Sequence, residues 1–206
     1  TLLTGGTLLG QKEPPFKNVI CLGLINDKFG QKMSKSKGNV VNPWDVIAKY
    51  GVDAIRWYFY TINAPGETKN FDEIDIKKVQ NRVFNILYNS FVFYEMYADK
   101  SPIPVFKNLK SKHILDKWIL ASLNKTILKV TEELEKYEVG NAAKAIEELI
   151  DNLSRWYIRR SRRRLQRPED NNDFKDCSAT LGFAILEIAK LMAPFAPFFG
   201  ESIYKS

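Results

Sequence analysis

Residues 142–164 read Ala142-Ala-Lys-Ala-Ile146-Glu-Glu-Leu149-Ile-Asp-Asn-Leu153-Ser-Arg-Trp156-Tyr-Ile158-Arg-Arg-Ser-Arg-Arg-Arg164. Apolar side chains at 142, 146, 149, 153 and 156 recur at steps of three and four, the spacing that lines one face of an α-helix. The run holds neither proline nor glycine, so a helix beginning after Gly140 is predicted. One apolar face needs others to cover it. Ile76, Val79, Val83, Leu87 and Phe91 upstream carry the same period, ending near Asp99 and a break at Ser101-Pro-Ile-Pro104. Leu115, Ile119, Ser122, Val130, Leu134 and Tyr137 sketch another helix, with lone His113 at its start as a cap or surface residue, and residues 174–192 a fourth. Met192-Ala-Pro-Phe-Ala-Pro-Phe-Phe199 predicts a kinked join into a last short helix through Ile203 and Tyr204. The second half is therefore expected to be an α-helical bundle. Its most polar stretch, Arg167 to Asp173, is expected to be a disordered loop.

Moving towards the N-terminus, the pattern becomes mixed α/β. Asn18-Val-Ile-Cys-Leu-Gly-Leu-Ile25 reads as a strand entering a turn at Asn26-Asp-Lys-Phe-Gly30. Asn42-Pro43 with Asp45 gives a helix start, Gly51 a stop, and a second short helix is predicted over Asp53 to Phe59, closed by Asn63-Ala-Pro-Gly66. Of 206 residues, 45% are apolar, and Lys and Arg total 31 against 24 acids, so a net charge of +7 favours a polyanionic partner. Cys21 and Cys177 are the only cysteines and lie far apart, which gives no disulfide framework and no metal site by spacing, and suits a reducing cytoplasm. The apolar tract Leu181–Phe199 is broken by Glu187, Lys190 and two prolines, so no membrane span is expected. The chain opens at Thr1 with nothing like a signal peptide, and an excised part of a longer protein is expected.

Between the turn ending at Gly30 and the Asn42-Pro43 helix start stands Lys32-Met33-Ser34-Lys35-Ser36, followed by Lys37-Gly38-Asn39. Ammonium groups and hydroxyls crowded beside a glycine suit the gripping of a polyphosphate. The five residues match, letter for letter, the second signature motif of class I aminoacyl-tRNA synthetases, and Asp53-Ala54-Ile55-Arg56 resembles the Asp-Ala-Leu-Arg stretch of that family. The resemblance implies a mostly α chain in which residues 1–30 end a Rossmann-like α/β catalytic domain, 31–72 form the lysine loop and a stem-contact segment, and 73–206 form a helical anticodon-binding domain. It implies that Lys32 and Lys35 act catalytically on the phosphates of ATP, brought with Mg2+, that Ser34 and Ser36 donate or cap, and that Met33 anchors the loop while belonging to the nucleotide-binding string. Leu22-Gly23 departs from the His-Gly pair many relatives carry near the adenine, leaving a backbone role for Gly23 and Leu24 open beside plain strand packing. One histidine cannot supply the two-histidine first motif, so the chain alone is expected to be inactive.

Leu153-Ser-Arg-Trp-Tyr-Ile-Arg-Arg-Ser-Arg-Arg-Arg164 places Arg155, Arg159 and Arg162 along one helix face, with Arg160, Arg163, Arg164 and Arg167 beside it. Guanidinium forks pair with phosphate oxygens, so all seven are candidate RNA contacts, although Asp151, Glu147, Glu148 or acids after residue 169 are expected to absorb two or three. Trp156 and Tyr157 are expected in the core rather than as stacking platforms. Pro15-Phe-Lys-Asn-Val19, Lys32 to Asn42, Asp45 to Asp53 and above all Trp156 to Arg164 resemble the branched-chain subgroup, and within it the isoleucine enzymes ahead of the valine ones. The partners so implied are an isoleucine-acceptor tRNA, ATP and isoleucine, met by a monomer without a membrane. A helical RNA-binding module without catalysis is the alternative.

Overall fold

The three-and-four spacing around Ile146 and Leu149 produces α7 (Val139–Asp151), whose apolar face lies fully inside the protein. A computed structural model describes residues 2–99, 109 and 111–205. The break expected at Ser101-Pro-Ile-Pro104 lies outside the described residues. α7 packs between α6 (Ile114–Glu135) and α3 (Val52–Thr61), while α9 (Asn171–Met192) crosses α5 (Asn85–Tyr97) and α6. Leu87, Ile119, Leu123, Ile146, Leu153 and Ile188 meet in the centre with no exposed surface. The helical bundle follows from the sequence period as expected.

The helix starts follow side-chain capping chemistry. Asn42 accepts from the Trp44 N–H at the start of α2 (Pro43–Tyr50), Asp72 from Ile74 N–H at α4 (Glu73–Val79), and His113 Nδ1 from Leu115 N–H at α6. His113 is thus a cap, in accord with its place in the sequence. Asp170 accepts from Asn172 N–H and opens α9 at Asn171, which corrects the disordered loop expected over Arg167 to Asp173. The polar string there is a capping signal: an acid at the N-cap and another, Asp173, in the first turn.

The strand expected over 18–25 shrinks to β1 (Ile25–Asn26), paired in parallel with β2 (Lys69–Asn70). Residues 18–24 find no continuous ladder among the described residues, only isolated bonds such as Gly23 N–H to Pro65 O at 2.9 Å, and Val19, Leu22 and Leu24 stay exposed. Extended backbone becomes a strand only where a neighbour supplies the second half of the ladder. At Gly23 a side chain would meet the Glu67 carbonyl at 2.1 Å, so close backbone approach explains the glycine. Helix α1 (Leu2–Leu8), short and largely exposed, precedes this region.

Two i→i+5 stretches interrupt the long helices. Gln80–Phe84 joins α4 to α5, and Asn152–Ile158 joins α7 to α8 (Arg159–Gln166). Leu149, Leu153, Tyr157, Ser161 and Leu165 are all buried at a constant step of four. In an unbroken α-helix four such steps would drift by about 160°, because 3.6 residues close a turn. The π-helical stretch turns less per residue and keeps all five on one side. It also carries Trp156 out of the core face, leaving it 45% exposed while Tyr157 is fully buried. The core expectation therefore fails for Trp156 and is met by Tyr157.

Beneath the arginine-rich helix lies a buried ionic network. Arg164 Nη1 and Nη2 donate to the two oxygens of the wholly buried Asp116 at 2.7 and 2.8 Å, and Nε donates to Asp173 Oδ2 at 2.8 Å. Tyr157 OH and Ser111 Oγ donate to the same Asp116 carboxylate at 2.7 and 2.6 Å. The Arg164→Ala substitution should destabilise the fold by about 3–5 kcal/mol in urea denaturation, because it strands a buried charge. The exposed Arg163→Ala should change stability by less than about 0.5 kcal/mol. The hydrogen bonds from Arg164 hold the Asp173 carboxyl below its ordinary value. Its contribution is therefore complete above about pH 4 and lost as pH falls through the lowered folded value; Asp173→Asn should remove that share of the acid sensitivity in denaturation curves.

Candidate functional site

The lysine loop is braced by Asn39 and Asp27. Asn39 Oδ1 accepts from Ser34 N–H at 2.9 Å, while its Nδ2 donates to Asp27 Oδ2 at 2.8 Å and to Lys32 O at 3.3 Å. Asp27 Oδ1 in turn accepts from the N–H groups of Phe29 and Gln31. The hydrogen bond from Asn39 is the largest influence holding the Asp27 carboxyl below its ordinary value. Lys32 bridges to Asn26 in antiparallel fashion, and Lys35–Lys37 forms a single 3₁₀ turn that Gly38 ends at φ 65°, a left-handed conformation suited to glycine. Met33 packs against the core. The Ser34 and Ser36 hydroxyls lie 3.2 Å apart, and Ser34 makes no side-chain capping bond.

Lys32, Lys35 and Lys37 are exposed, and none has a carboxylate ion-pair partner among the described residues. The loop thus presents ammonium groups to solvent on a backbone fixed from behind. A recess of about 310 Å³ beside it is lined by Asp27, Asp72 and Glu73 with Lys28, and Lys32 and Lys35 do not line it. Its acidic walls suit no polyphosphate, so an anion gripped by the lysines belongs on their solvent side. No group of three His, Cys, Asp or Glu suited to a metal ion occurs among the described residues.

The Asp53-Ala54-Ile55-Arg56 stretch does mechanical work. Asp53 Oδ2 accepts from Phe199 N–H at 2.6 Å, close to the first turn of α10 (Pro197–Lys205). Arg56 Nε and Nη2 donate to the Phe195 and Pro194 carbonyls, each at 3.0 Å. Burial raises the Asp53 pKa, outweighing the backbone bond that favours its charged form.

The seven arginines are divided among the π-helical stretch, α8 and the residue that caps it, Arg167. Arg164 turns inward, 11% exposed and saturated by carboxylates, and is withdrawn as an RNA contact. Arg155 pairs with Asp151 at 2.7 Å and Arg163 with Glu169, both in the open. Glu147 is engaged elsewhere, by Arg82 and the Trp57 indole N–H. Arg155, Arg159 and Arg162 do share one face, lining a groove of about 380 Å³ with Asn89, Ser90 and Phe93 of α5. Arg162 lies over the Phe93 ring at 5.4 Å, and Arg160 over Trp156 at 3.7 Å. Arg159 and Arg167 are exposed and have no carboxylate partner among the described residues.

The supports at Asp27, Asn39 and Asp116 were not evident from spacing. An Asn immediately after the left-handed glycine was the available signal for the loop brace. The constant step of four from Leu149 to Leu165 was the signal for the π-helical register.

Two family models match: "tRNA synthetases class I (I, L, M and V)" over residues 1–72, and "Anticodon-binding domain of tRNA ligase" over residues 116–206. Isoleucine–tRNA ligases of Clostridium novyi and Thermus thermophilus are 42% and 41% identical, each across 93% of this chain and 19% of their own length. That of Clostridium acetobutylicum is 40% identical across the whole chain. The chain spans about a fifth of the length of these curated relatives. In fold it resembles an Agrobacterium radiobacter K84 LeuRS crystallised with tRNA and LeuAMS (TM-score 0.74, 23% identity, 98% of this chain and 24% of that one). It also resembles the Mycobacterium tuberculosis methionyl-tRNA synthetase with methionyl-adenylate (TM-score 0.71, 22% identity, 88% and 36%).

Asn39→Ala should free the Ser34 amide and speed its hydrogen exchange several-fold, with little change at the Leu123 amide in the bundle; equal protection in both proteins would show that the brace is idle.

Proposed function

The chain belongs to the class I aminoacyl-tRNA synthetases, as a catalytic-domain segment joined to an anticodon-binding domain, and from that premise we propose that it is the part of an isoleucine–tRNA ligase that grips ATP phosphates and docks tRNA. The carrying observation is the pair of exposed, carboxylate-free ammonium groups of Lys32 and Lys35 on a loop fixed by Asn39 and Asp27. We assign residues 1–30 to the end of the catalytic domain, 31–72 to the loop and stem-contact segment and 73–206 to anticodon binding. Isoleucine, rather than valine, is favoured by the run of relatives whose printed names are isoleucine–tRNA ligase.

In the proposed reaction a carboxylate oxygen of isoleucine attacks the α-phosphorus of ATP, the bond to the bridging oxygen breaks, and diphosphate leaves. Isoleucine then passes to a tRNA hydroxyl and AMP departs. Lys32 holds the phosphates in line and Lys35 stabilises the charge gathering on diphosphate, an electrostatic role for point cations. The Ser34 and Ser36 hydroxyls, 3.2 Å apart, serve as further donors, and Met33 fixes the loop through its packing. Mg2+ carried by ATP would share the neutralisation of its phosphates, with no metal ligand supplied by the described residues of this chain. Arg155, Arg159, Arg160, Arg162, Arg163 and Arg167 form the tRNA-docking face, whereas Arg164 holds the helix in place.

In the full ligase, Lys35→Ala should lower isoleucine-dependent pyrophosphate exchange by about 2–4 kcal/mol of transition-state stabilisation with isoleucine affinity kept. An unchanged rate would refute the role, and faster exchange with valine would move the assignment to the valine branch. The 206-residue chain alone should show no exchange yet bind tRNA with an affinity that falls steeply with salt. Neutralising Arg159, Arg160 and Arg163 together should flatten that slope.

A further inference from the structure

Lys69, on β2, is a buried cation without a buried anion. It is 8% exposed, the only buried lysine among the described residues, and no carboxylate there forms an ion pair with it. Its ammonium donates instead to oxygens of the turn after α3: Asn63 O at 3.1 Å, Asn63 Oδ1, and Ala64 O at 3.4 Å. Burial lowers its pKa, and the more distant Glu67 charge offsets that only in part. Neutral dipoles therefore hold the ammonium in place and leave its charge uncompensated.

The same lysine lines a cavity of about 330 Å³, large enough for a small ligand. Phe59, Pro65 and Val139 contribute apolar lining, Ile20, Leu22 and Ile25 add exposed apolar side chains, and no acid lines it. Gly140, also in the lining, stands where a Cβ would meet Tyr60 O at 2.9 Å, so the bundle and the end of α3 approach closely there. Tyr137, at the corner between α6 and α7, completes the enclosure with its hydroxyl accepting from Asn18 Nδ2 at 3.3 Å. Among the described residues it is the only non-glycine with positive φ, at 62°. A bulky residue held in the left-handed region is fixed by its surroundings rather than by local preference, and such positions gather at ligand sites.

We propose that this cavity binds a small aliphatic monocarboxylate, whose carboxylate replaces Ala64 O on the Lys69 ammonium and whose tail lies on the apolar lining. The ligand supplies the counter-charge that the fold omits, and the bond it displaces is the longest of the three. A free amino acid is disfavoured, because its own ammonium would enter beside Lys69 with no acid in the lining to receive it. A peptide C-terminus is disfavoured by the amide it would bury against apolar walls. None of Lys32, Lys35 and the seven arginines lines the cavity, so the inference goes beyond the phosphate and tRNA roles and stands or falls without them.

The test titrates the 206-residue chain with hexanoate, hexanol, hexylamine, isoleucine and N-acetyl-leucine, following the amide NMR signals of Gly23 and Gly140. Hexanoate should shift both signals saturably and bind at least about tenfold more tightly than each of the other four. Lys69→Met keeps an unbranched apolar stem and removes the charge. It should weaken hexanoate about tenfold or more and leave hexanol unchanged. Should Lys69→Met disturb the turn at Asn63, Leu22→Asp at the exposed rim keeps the test decisive: an added anion should weaken hexanoate and strengthen hexylamine several-fold. No saturable shift with hexanoate, or unaltered hexanoate affinity in a folded Lys69→Met, would overturn the site. Hexanol binding as tightly as hexanoate would reduce the cavity to an unspecific apolar recess and overturn it too. N-acetyl-leucine or isoleucine binding more tightly than hexanoate would overturn the monocarboxylate in favour of a peptide terminus or an amino acid.

Discussion

Asp53 and Arg56, three positions apart on α3, grip opposite halves of the corner between α9 and α10. The carboxylate meets an N–H at the start of α10, where the helix dipole is positive, and the guanidinium meets carbonyls left over where α9 ends. Two prolines in that corner remove donors and prevent a continuous helix, leaving polar backbone that only a neighbour can satisfy. Each half of the clamp therefore answers a need created by the other partner's sequence. Through it, the segment carrying the lysine loop has a fixed seat on the bundle. Trp57, between the two polar residues, adds its own tie by donating to Glu147 of α7.

The charge of the second half divides by the same logic of satisfaction. Asp116 is wholly buried and remains tolerable because Arg164, Tyr157 and Ser111 all donate to it. One arginine of the cluster thus belongs to the interior, and its inward turn lets the flanking ones stand clear. A run that looks uniform in composition divides into one structural cation, two arginines in exposed ion pairs, and others with no carboxylate partner among the described residues. The lysine loop shows the same division, with Asn39 and Asp27 occupied by the backbone and the ammonium groups left open.

Much of this was legible in the sequence because it rests on local rules. The Asn42-Pro43 start, the Gly51 stop, the His113 cap and the bundle period are written in a few neighbouring residues each. The lysine string identified its own loop, and Gly38 its bend. What escaped depends on distant partners. The strand at 18–25 needed a ladder that β2 provides for two residues only. The inward choice of Arg164 over its neighbours needed Asp116, 48 positions away. The order at Asp170 was local and was misjudged, since a cap and a polar loop share the same composition.

The π-helical stretch at Asn152–Ile158 gives the chain's length a meaning there that its composition does not have. Relaxing the segment to ordinary α geometry at unchanged length would rotate everything downstream by roughly 100°. Leu165 would leave the core and another guanidinium would swing towards Asp116. A one-codon deletion inside the stretch would be offset by that same relaxation, whereas a deletion after it, within α8, has nothing to offset it and would reassign which arginine is hidden and which are displayed.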